Sequence, residues 1–206
     1  DGWLNLRDLG SMPPPREKAW RYYSENFPAS MKGEVRRFFA YLLRENRPVL
    51  ELLDADYTFV DKYLAKHYKL LEGESLRLKD GFQKVKLPDK RRRGGVLGMA
   101  AVLTVSANGI ETSPVLRGVF VSENILGVVP PPPPDEVPPV EPDVRGATTL
   151  RQRLAKHLAS NTCAECHRQI DPPGFGLEAF DELGRWRDRY PKAHKKASAL
   201  KVDASG

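Results

Sequence analysis

Two cysteines and a histidine near the C-terminal end form the pattern with the most specific chemistry in this sequence. The run Cys163-Ala164-Glu165-Cys166-His167 contains both cysteines of the chain. Two thiols at this spacing can add to the two vinyl groups of one porphyrin, and the adjacent imidazole can bind the iron as its proximal ligand. The sequence therefore predicts a covalently bound haem c at Cys163 and Cys166, with the iron held by His167.

Other chemistries use the same pair of cysteines. A thioredoxin-like redox pair would need a strand before the motif, and the pattern predicts a helix there instead. Half of a structural zinc site is a further interpretation, completed by His167 or His157 and by His194, although no second cysteine pair exists. A structural cysteine pair without a ligand is the third alternative. All three stay open from the sequence alone.

The segment after the motif is expected to surround the haem. Residues 172–174 (Pro-Pro-Gly) predict a turn in which a backbone carbonyl accepts the imidazole N–H of His167. The next apolar residues are interpreted equally as an apolar wall beside the haem or as plain core: Phe175, Leu177, Phe180 and Leu183. Pro172 is included among the residues in contact with the cofactor. Arg185 and Arg187 are candidates for pairing with the haem propionates.

The sixth iron ligand decides between electron transfer and catalysis. No methionine follows His167, so the ligand pattern of a small monohaem carrier is missing. The remaining candidates are Met99, His157 and His194, and for Met99 a core role is the default. An open or externally filled site is the leading expectation, which keeps a peroxidase-like or oxidase function as an alternative to electron transfer.

Composition excludes some classes of protein. The chain has 206 residues and a formal net charge of +6, and its basic clusters lack the aromatic pattern or finger motif of a nucleic-acid binder. No stretch approaches the roughly 18 apolar residues of a membrane-spanning helix. The chain starts at Asp1 without a signal peptide, and we expect it to be part of a longer protein. No feature of the sequence indicates an oligomeric state.

Apolar spacing predicts a mainly α-helical fold with one short β-hairpin and long irregular, proline-rich connections. Ser30 is predicted to cap the first long helix, and residues 50–64 predict one or two more. Asp80-Gly81 predicts the hairpin turn within residues 75–88. Further helices are predicted over residues 96–105, from Pro114 to a stop at Gly127, and over residues 149–160.

A run of prolines is the clearest linker in the sequence. Residues 130–142 contain five consecutive prolines and three more, which predict an extended polyproline spacer. We interpret residues 1–90 as the C-terminal part of a helical module of unknown function. Residues 91–206 are then a haem c-binding module that contains the spacer.

Several segments together carry a resemblance to a known family. They are residues 51–60 (ELLDADYTFV), 93–98 (RGGVLG), 112–118 (TSPVLRG), the proline run, and the haem motif with residues 170–184 (IDPPGFGLEAFDELG). The chain resembles the secreted multidomain cytochrome c-like proteins of planctomycetes, which are built from domains of unknown function. The resemblance implies two adjacent modules, the second with the haem, inside a longer periplasmic or secreted protein. It also implies a redox partner protein or a neighbouring cytochrome module as partner, but no particular reaction.

Overall fold

The chain forms two compact units. The computed structural model describes residues 1–17, 19–24, 26–70, 81–89, 91–132, 149–157, 161–191 and 199–206. The first unit comprises Asp1–Val105 with Glu182–Trp186, and the second comprises Ser106–Asp181 with Arg187–Gly206. The sequence analysis divides the chain at residue 90 instead, and that division into modules stays a prediction.

The first unit is helical with one pair of strands. Its helices are α1 (Trp20–Ser24), α2 (Phe27–Arg44), α3 (Glu51–Asp54), α4 (Lys62–His67) and α5 (Ala100–Val105), and its strands are β1 (Tyr57–Val60) and β2 (Gln83–Lys86). Short 3-10 turns cover Leu6–Asp8 and Val96–Gly98. The core of this unit is closed by fully buried side chains from most of these elements, namely Leu6, Met31, Phe38, Val60, Leu64, Val96 and Leu103.

Helix α2 begins earlier than the sequence predicts. It starts at Phe27 with Pro28 in its first turn, where the missing N–H of proline leaves no hydrogen bond unmade. Ser30, the predicted cap, lies inside the helix and is buried. Its hydroxyl donates to the carboxylate of Asp61, and that carboxylate caps α4 by accepting from the backbone of Tyr63 and Leu64. The prediction for Ser30 was therefore wrong.

The strand pair joins segments that are distant in sequence. Strand β1 pairs antiparallel with β2, so that Tyr57 lies opposite Lys86 and Val60 opposite Gln83. The sequence analysis took Tyr57 and Val60 as helical, which is wrong, because a run of aromatic and β-branched residues with a partner strand favours the sheet. Strand β2 agrees with the second arm of the predicted hairpin, while residues 71–80, with the first arm, lie outside the described residues. A mainly helical fold with one antiparallel strand pair is confirmed.

The second unit contains α6 (Pro114–Asn124), α7 (Leu150–His157) and α8 (Asn161–Gly176). Helix α6 starts at Pro114 as predicted, and the hydroxyl of Ser113 accepts from the backbone N–H of Leu116. It ends at Asn124, and Gly127 has the positive φ of 68° expected of a glycine that follows a helix. Residues 130–132 have no regular secondary structure, and residues 133–142 of the predicted spacer lie outside the part that the structure describes.

Helices α6 and α8 approach each other through two glycines. A methyl group at Gly118 would lie 1.7 Å from the carbonyl oxygen of Ile170, and one at Gly174 would lie 1.8 Å from that of Pro114. The backbones therefore touch directly, which fixes the position of α8 and of the motif on it. Among the helices that the structure describes, none has the length and apolarity required to cross a bilayer.

Candidate functional site

The predicted haem motif lies in the first two turns of α8. Because the helix covers Asn161–Gly176, positions 163, 166 and 167 stand at i, i+3 and i+4. Residues at these separations are neighbours on one helix face. The backbone thus brings the two cysteine positions and the histidine position within about one turn of each other.

One of the two thiols can be described. Cys166 is half-buried and is not in a disulfide. The side chain of Cys163 lies outside the described residues, so covalent attachment at both cysteines stays a prediction.

The imidazole of His167 has a carboxylate partner on the same helix. Its Nδ1 lies 2.9 Å from Oδ1 of Asp171, and the two side chains are only 13% and 10% exposed. The residues are four positions apart, which is the separation that places side chains one above the other on a helix. The pair is shielded from water, so this contact holds the ring in one orientation.

The partner of His167 differs from the predicted one. We expected a turn at residues 172–174 with a backbone carbonyl as acceptor, but α8 continues through Pro172 and Pro173 to Gly176. Two consecutive prolines disfavour a helix interior. Here the contact of α6 with Ile170 and Gly174 outweighs that preference. The predicted turn was wrong, and the side chain of Asp171 takes the role given to the carbonyl.

Asp171 is a site residue that the sequence does not predict. The available signal was the i, i+4 spacing of a histidine and an aspartate. This spacing brings the two side chains together only in a helix, whereas the prediction ends the last helix at residue 160 and places a turn at residues 172–174.

The described donor set fits a haem c. A histidine that binds a metal usually donates its other ring N–H to a carboxylate, which fixes the tautomer and makes the ligating nitrogen more basic. With Nδ1 of His167 held by Asp171, Nε2 is the nitrogen suited to an iron. Cys166 on the adjacent position offers the thiol chemistry of covalent attachment.

The four residues of the predicted apolar wall are divided between the two units. Phe175 and Phe180 are buried in the second unit, where Phe175 packs with Leu150 and Leu154. The guanidinium of Arg151 stands 3.9 Å from the centre of the Phe175 ring. Leu177 is half-buried, and Leu183 is buried in the first unit. These contacts agree with the core interpretation, and a role of Phe175, Leu177 and Phe180 beside a haem stays a prediction.

The two arginines proposed for the propionates have different surroundings. Arg187 forms an ion pair with buried Glu178 and donates to Oγ1 of Thr112 at 2.7 Å. The charge of Arg187 is therefore paired with a carboxylate of the protein itself. Arg185 is exposed and belongs to the first unit, and its pairing with a propionate stays a prediction.

A buried ionic cluster fixes the chain just after α8. The guanidinium of Arg117 is fully buried and donates to the carbonyls of Leu177, Phe180 and Asp181, each at 2.8 Å. Burial raises the pKa of the Glu178 carboxyl, although Arg187 and Arg117 act in the opposite direction. Sequence reasoning missed Arg117 because a charged residue on an amphipathic helix is normally read as solvent-facing.

The candidates for the sixth ligand stay predictions. Met99 is 2% exposed in the core of the first unit. The side chain of His157 and all of His194 lie outside the described residues. Within the side chains that the structure describes, no three His, Cys, Asp or Glu residues gather into a metal site.

Two family models match the chain. Residues 1–70 match the family described as PSD4, protein of unknown function (DUF1592), and residues 93–190 match that described as PSCyt3, protein of unknown function (DUF1588). Comparison with curated proteins and with solved structures gave no match. The order of the two segments is consistent with multidomain proteins of the planctomycete type. The motif with Cys166 and His167 lies within the second segment.

Proposed function

We propose that the second unit is a c-type haem module that carries electrons outside the cytoplasm, within a larger multidomain protein. The observation that carries this proposal is the contact between Nδ1 of His167 and Asp171, four residues after a Cys-x-x-Cys-His motif. Neither a redox pair of cysteines nor a chance cysteine pair needs an oriented, shielded imidazole at this position.

Each residue of the motif has one task in this proposal. Cys163 and Cys166 hold the haem by thioether bonds, and Nε2 of His167 binds the iron. The carboxylate of Asp171 accepts a hydrogen bond from Nδ1–H and keeps the ring oriented. Haem c, when bound, supplies one-electron transfer, and a redox partner protein or neighbouring cytochrome module exchanges the electrons.

The test is expression of the full chain together with haem-attachment machinery. A pyridine haemochrome of c type that survives denaturation supports the proposal. In the double variant Cys163→Ser with Cys166→Ser we expect no covalent haem. In His167→Ala we expect attached haem with an altered spectrum. Gln169→Ala, which changes an exposed residue of the same helix, is the matched control and should leave the spectrum unchanged.

Two results would overturn the proposed haem function. A protein that stays colourless after maturation and purifies with zinc would support the structural zinc interpretation. A spectrum that is the same in His167→Ala as in the unaltered chain would remove His167 as the iron ligand.

A haem-dependent oxidoreductase with an open sixth site is the second candidate function. It is favoured by the absence of any methionine after His167. Carbon monoxide separates the two candidates, since rapid binding to the reduced protein indicates an open iron site. Lack of binding supports a six-coordinate electron carrier.

A further inference from the structure

The first unit contains a cavity of about 330 Å³ that the proposed function does not use. Its floor is apolar and aromatic, with Tyr22, Phe27 and Leu183 each 3–5% exposed. His67 also lines it and stacks on Phe27 with ring centroids 4.6 Å apart. A pocket of this size lies at the lower end of the range found for small-molecule sites.

Contacts from distant parts of the chain hold this cavity in shape. Nε2 of His67 lies 2.8 Å from the carbonyl oxygen of Leu183, 116 residues further along. Because a carbonyl only accepts, this nitrogen is the donor. The next residue is fixed too, since Arg93 donates to the carbonyl of Gly184. These two contacts hold the segment Glu182–Trp186 against the rest of the first unit. The floor of the cavity is therefore formed without a bound ligand.

The rim of the cavity is basic. Its exposed side chains are Trp20, Lys66, Lys69 and Arg185. Among the described lining residues there is no carboxylate, and neither Lys66 nor Lys69 forms an ion pair within the described part of the chain. Lys66 and Lys69 at the rim of an apolar floor create a positive potential that attracts an anion.

We propose that this cavity binds a small aromatic carboxylate. The ring lies against Tyr22, Phe27 and Leu183, while the carboxylate accepts charge-assisted hydrogen bonds from the rim cations. A simple inorganic anion would leave the apolar floor uncovered, and a neutral aromatic compound would leave the cations unused. The floor and the rim together therefore select a ligand that has both parts.

Calorimetric titration of the full chain with 2-naphthoate at low ionic strength tests this site. A Kd on the order of 1 mM or tighter is expected for a ligand of this size. The indole N–H resonance of Trp20, assigned with Trp20→Phe, should shift on binding. The double variant Lys66→Glu with Lys69→Glu should weaken binding by about tenfold or more, because it replaces two attractive charges by two repulsive ones.

The matched control is Arg44→Glu with Lys86→Glu, because Arg44 lies at the opposite end of α2 from the lining residue Phe27. It makes the same change in net charge at two exposed positions of the same unit that do not line the cavity. It should weaken binding by less than about twofold, since exposed charges remote from the ligand act on it only weakly through water. Inorganic phosphate and the neutral 2-naphthamide should bind at least about tenfold more weakly than 2-naphthoate.

Four outcomes would overturn the proposal. They are no detectable binding of 2-naphthoate, equal affinity for 2-naphthamide or for phosphate, equal weakening by the control variant, and binding that leaves the Trp20 resonance unmoved. All these measurements concern the first unit and need no haem.

Discussion

Asp171 gives the proximal histidine of the proposed haem site a negatively charged partner. A carboxylate that accepts a hydrogen bond from Nδ1–H would make the imidazole a stronger donor to a bound iron and would favour the ferric state. Since both side chains are nearly buried, water screens this effect little. In the proposed haem site the pair would therefore act on the reduction potential of the iron as well as on the orientation of the ring.

Replacement of Asp171 by Asn should raise the reduction potential of the haem-loaded protein, because the neutral amide donates less electron density through the imidazole. A spectroelectrochemical titration measures the change. Glu165→Gln is the control, since it removes one exposed charge from the same helix, and its effect should be smaller. An unchanged or lower potential in Asp171→Asn would contradict this role of the carboxylate.

Glu34 is a buried acid in the first unit with its own effect on stability. Its side chain is fully buried, and it accepts hydrogen bonds from Thr58 and Tyr68, each at 2.6 Å. Burial raises the pKa of Glu34 to about 7, although these hydrogen bonds and the charge of Arg93 oppose the shift. The protonated form therefore predominates in the folded chain at mildly acidic pH.

The free energy of unfolding should fall as the pH rises from about 4.5 to about 7. Within this window the folded chain keeps the Glu34 proton that the unfolded chain has released, so a rise in pH favours unfolding. The total effect is on the order of 3 kcal/mol. Denaturant titrations across this pH range measure it, and Glu34→Gln should flatten the dependence.

Glu45→Gln is the matched control because Glu45 is exposed at the end of α2. That variant should keep the pH dependence of the unaltered chain. The role given to Glu34 is wrong if Glu34→Gln and Glu45→Gln retain the same slope.

The contact between α6 and α8 depends on the absence of a side chain at Gly118. Alanine is the better helix former by about 1 kcal/mol, so local propensity alone predicts that Gly118→Ala stabilises the protein. The methyl group would meet the carbonyl oxygen of Ile170 at 1.7 Å, and backbone cannot move aside cheaply.

We therefore expect Gly118→Ala to destabilise the second unit by about 1–3 kcal/mol through overpacking. Chemical denaturation measures the change. Gly176→Ala, in the last residue of α8 with no atom within 4 Å of the added methyl group, should be neutral or slightly stabilising. A Gly118→Ala variant as stable as Gly176→Ala would show that the two helices separate without cost.

The two units should unfold in separate steps. Each has its own buried side chains, around Phe38 and Leu103 in the first and around Phe175 and Leu154 in the second. Units with separate cores behave as separate cooperative transitions unless a large interface couples them.

Differential scanning calorimetry of the full chain should resolve two transitions. Gly118→Ala should lower the temperature of one, and the pH dependence removed by Glu34→Gln should belong to the other. A single transition that both variants shift would contradict separate unfolding.

The sequence by itself determined the features that depend on local spacing. Helical periodicity predicted a mainly α-helical chain, and Pro114 predicted the start of α6. The Cys-x-x-Cys-His motif spans five consecutive residues, so a haem could be predicted there without a structure. The resemblance to multidomain proteins likewise came from short local segments, and adjacent matches to two families agree with it.

The tertiary structure decided what depends on residues that meet from far apart. The contact of α6 with Ile170 and Gly174 stabilises α8 across its two prolines. The helix then brings the carboxylate of Asp171 within hydrogen-bonding distance of Nδ1 of His167. The pairing of β1 with β2 places Tyr57 and Val60 in a strand. The carbonyl of Leu183 reaches His67 across 116 residues and completes the cavity floor. Packing of this kind overrides local preference because it removes many groups from water at once, and no window of sequence contains both partners.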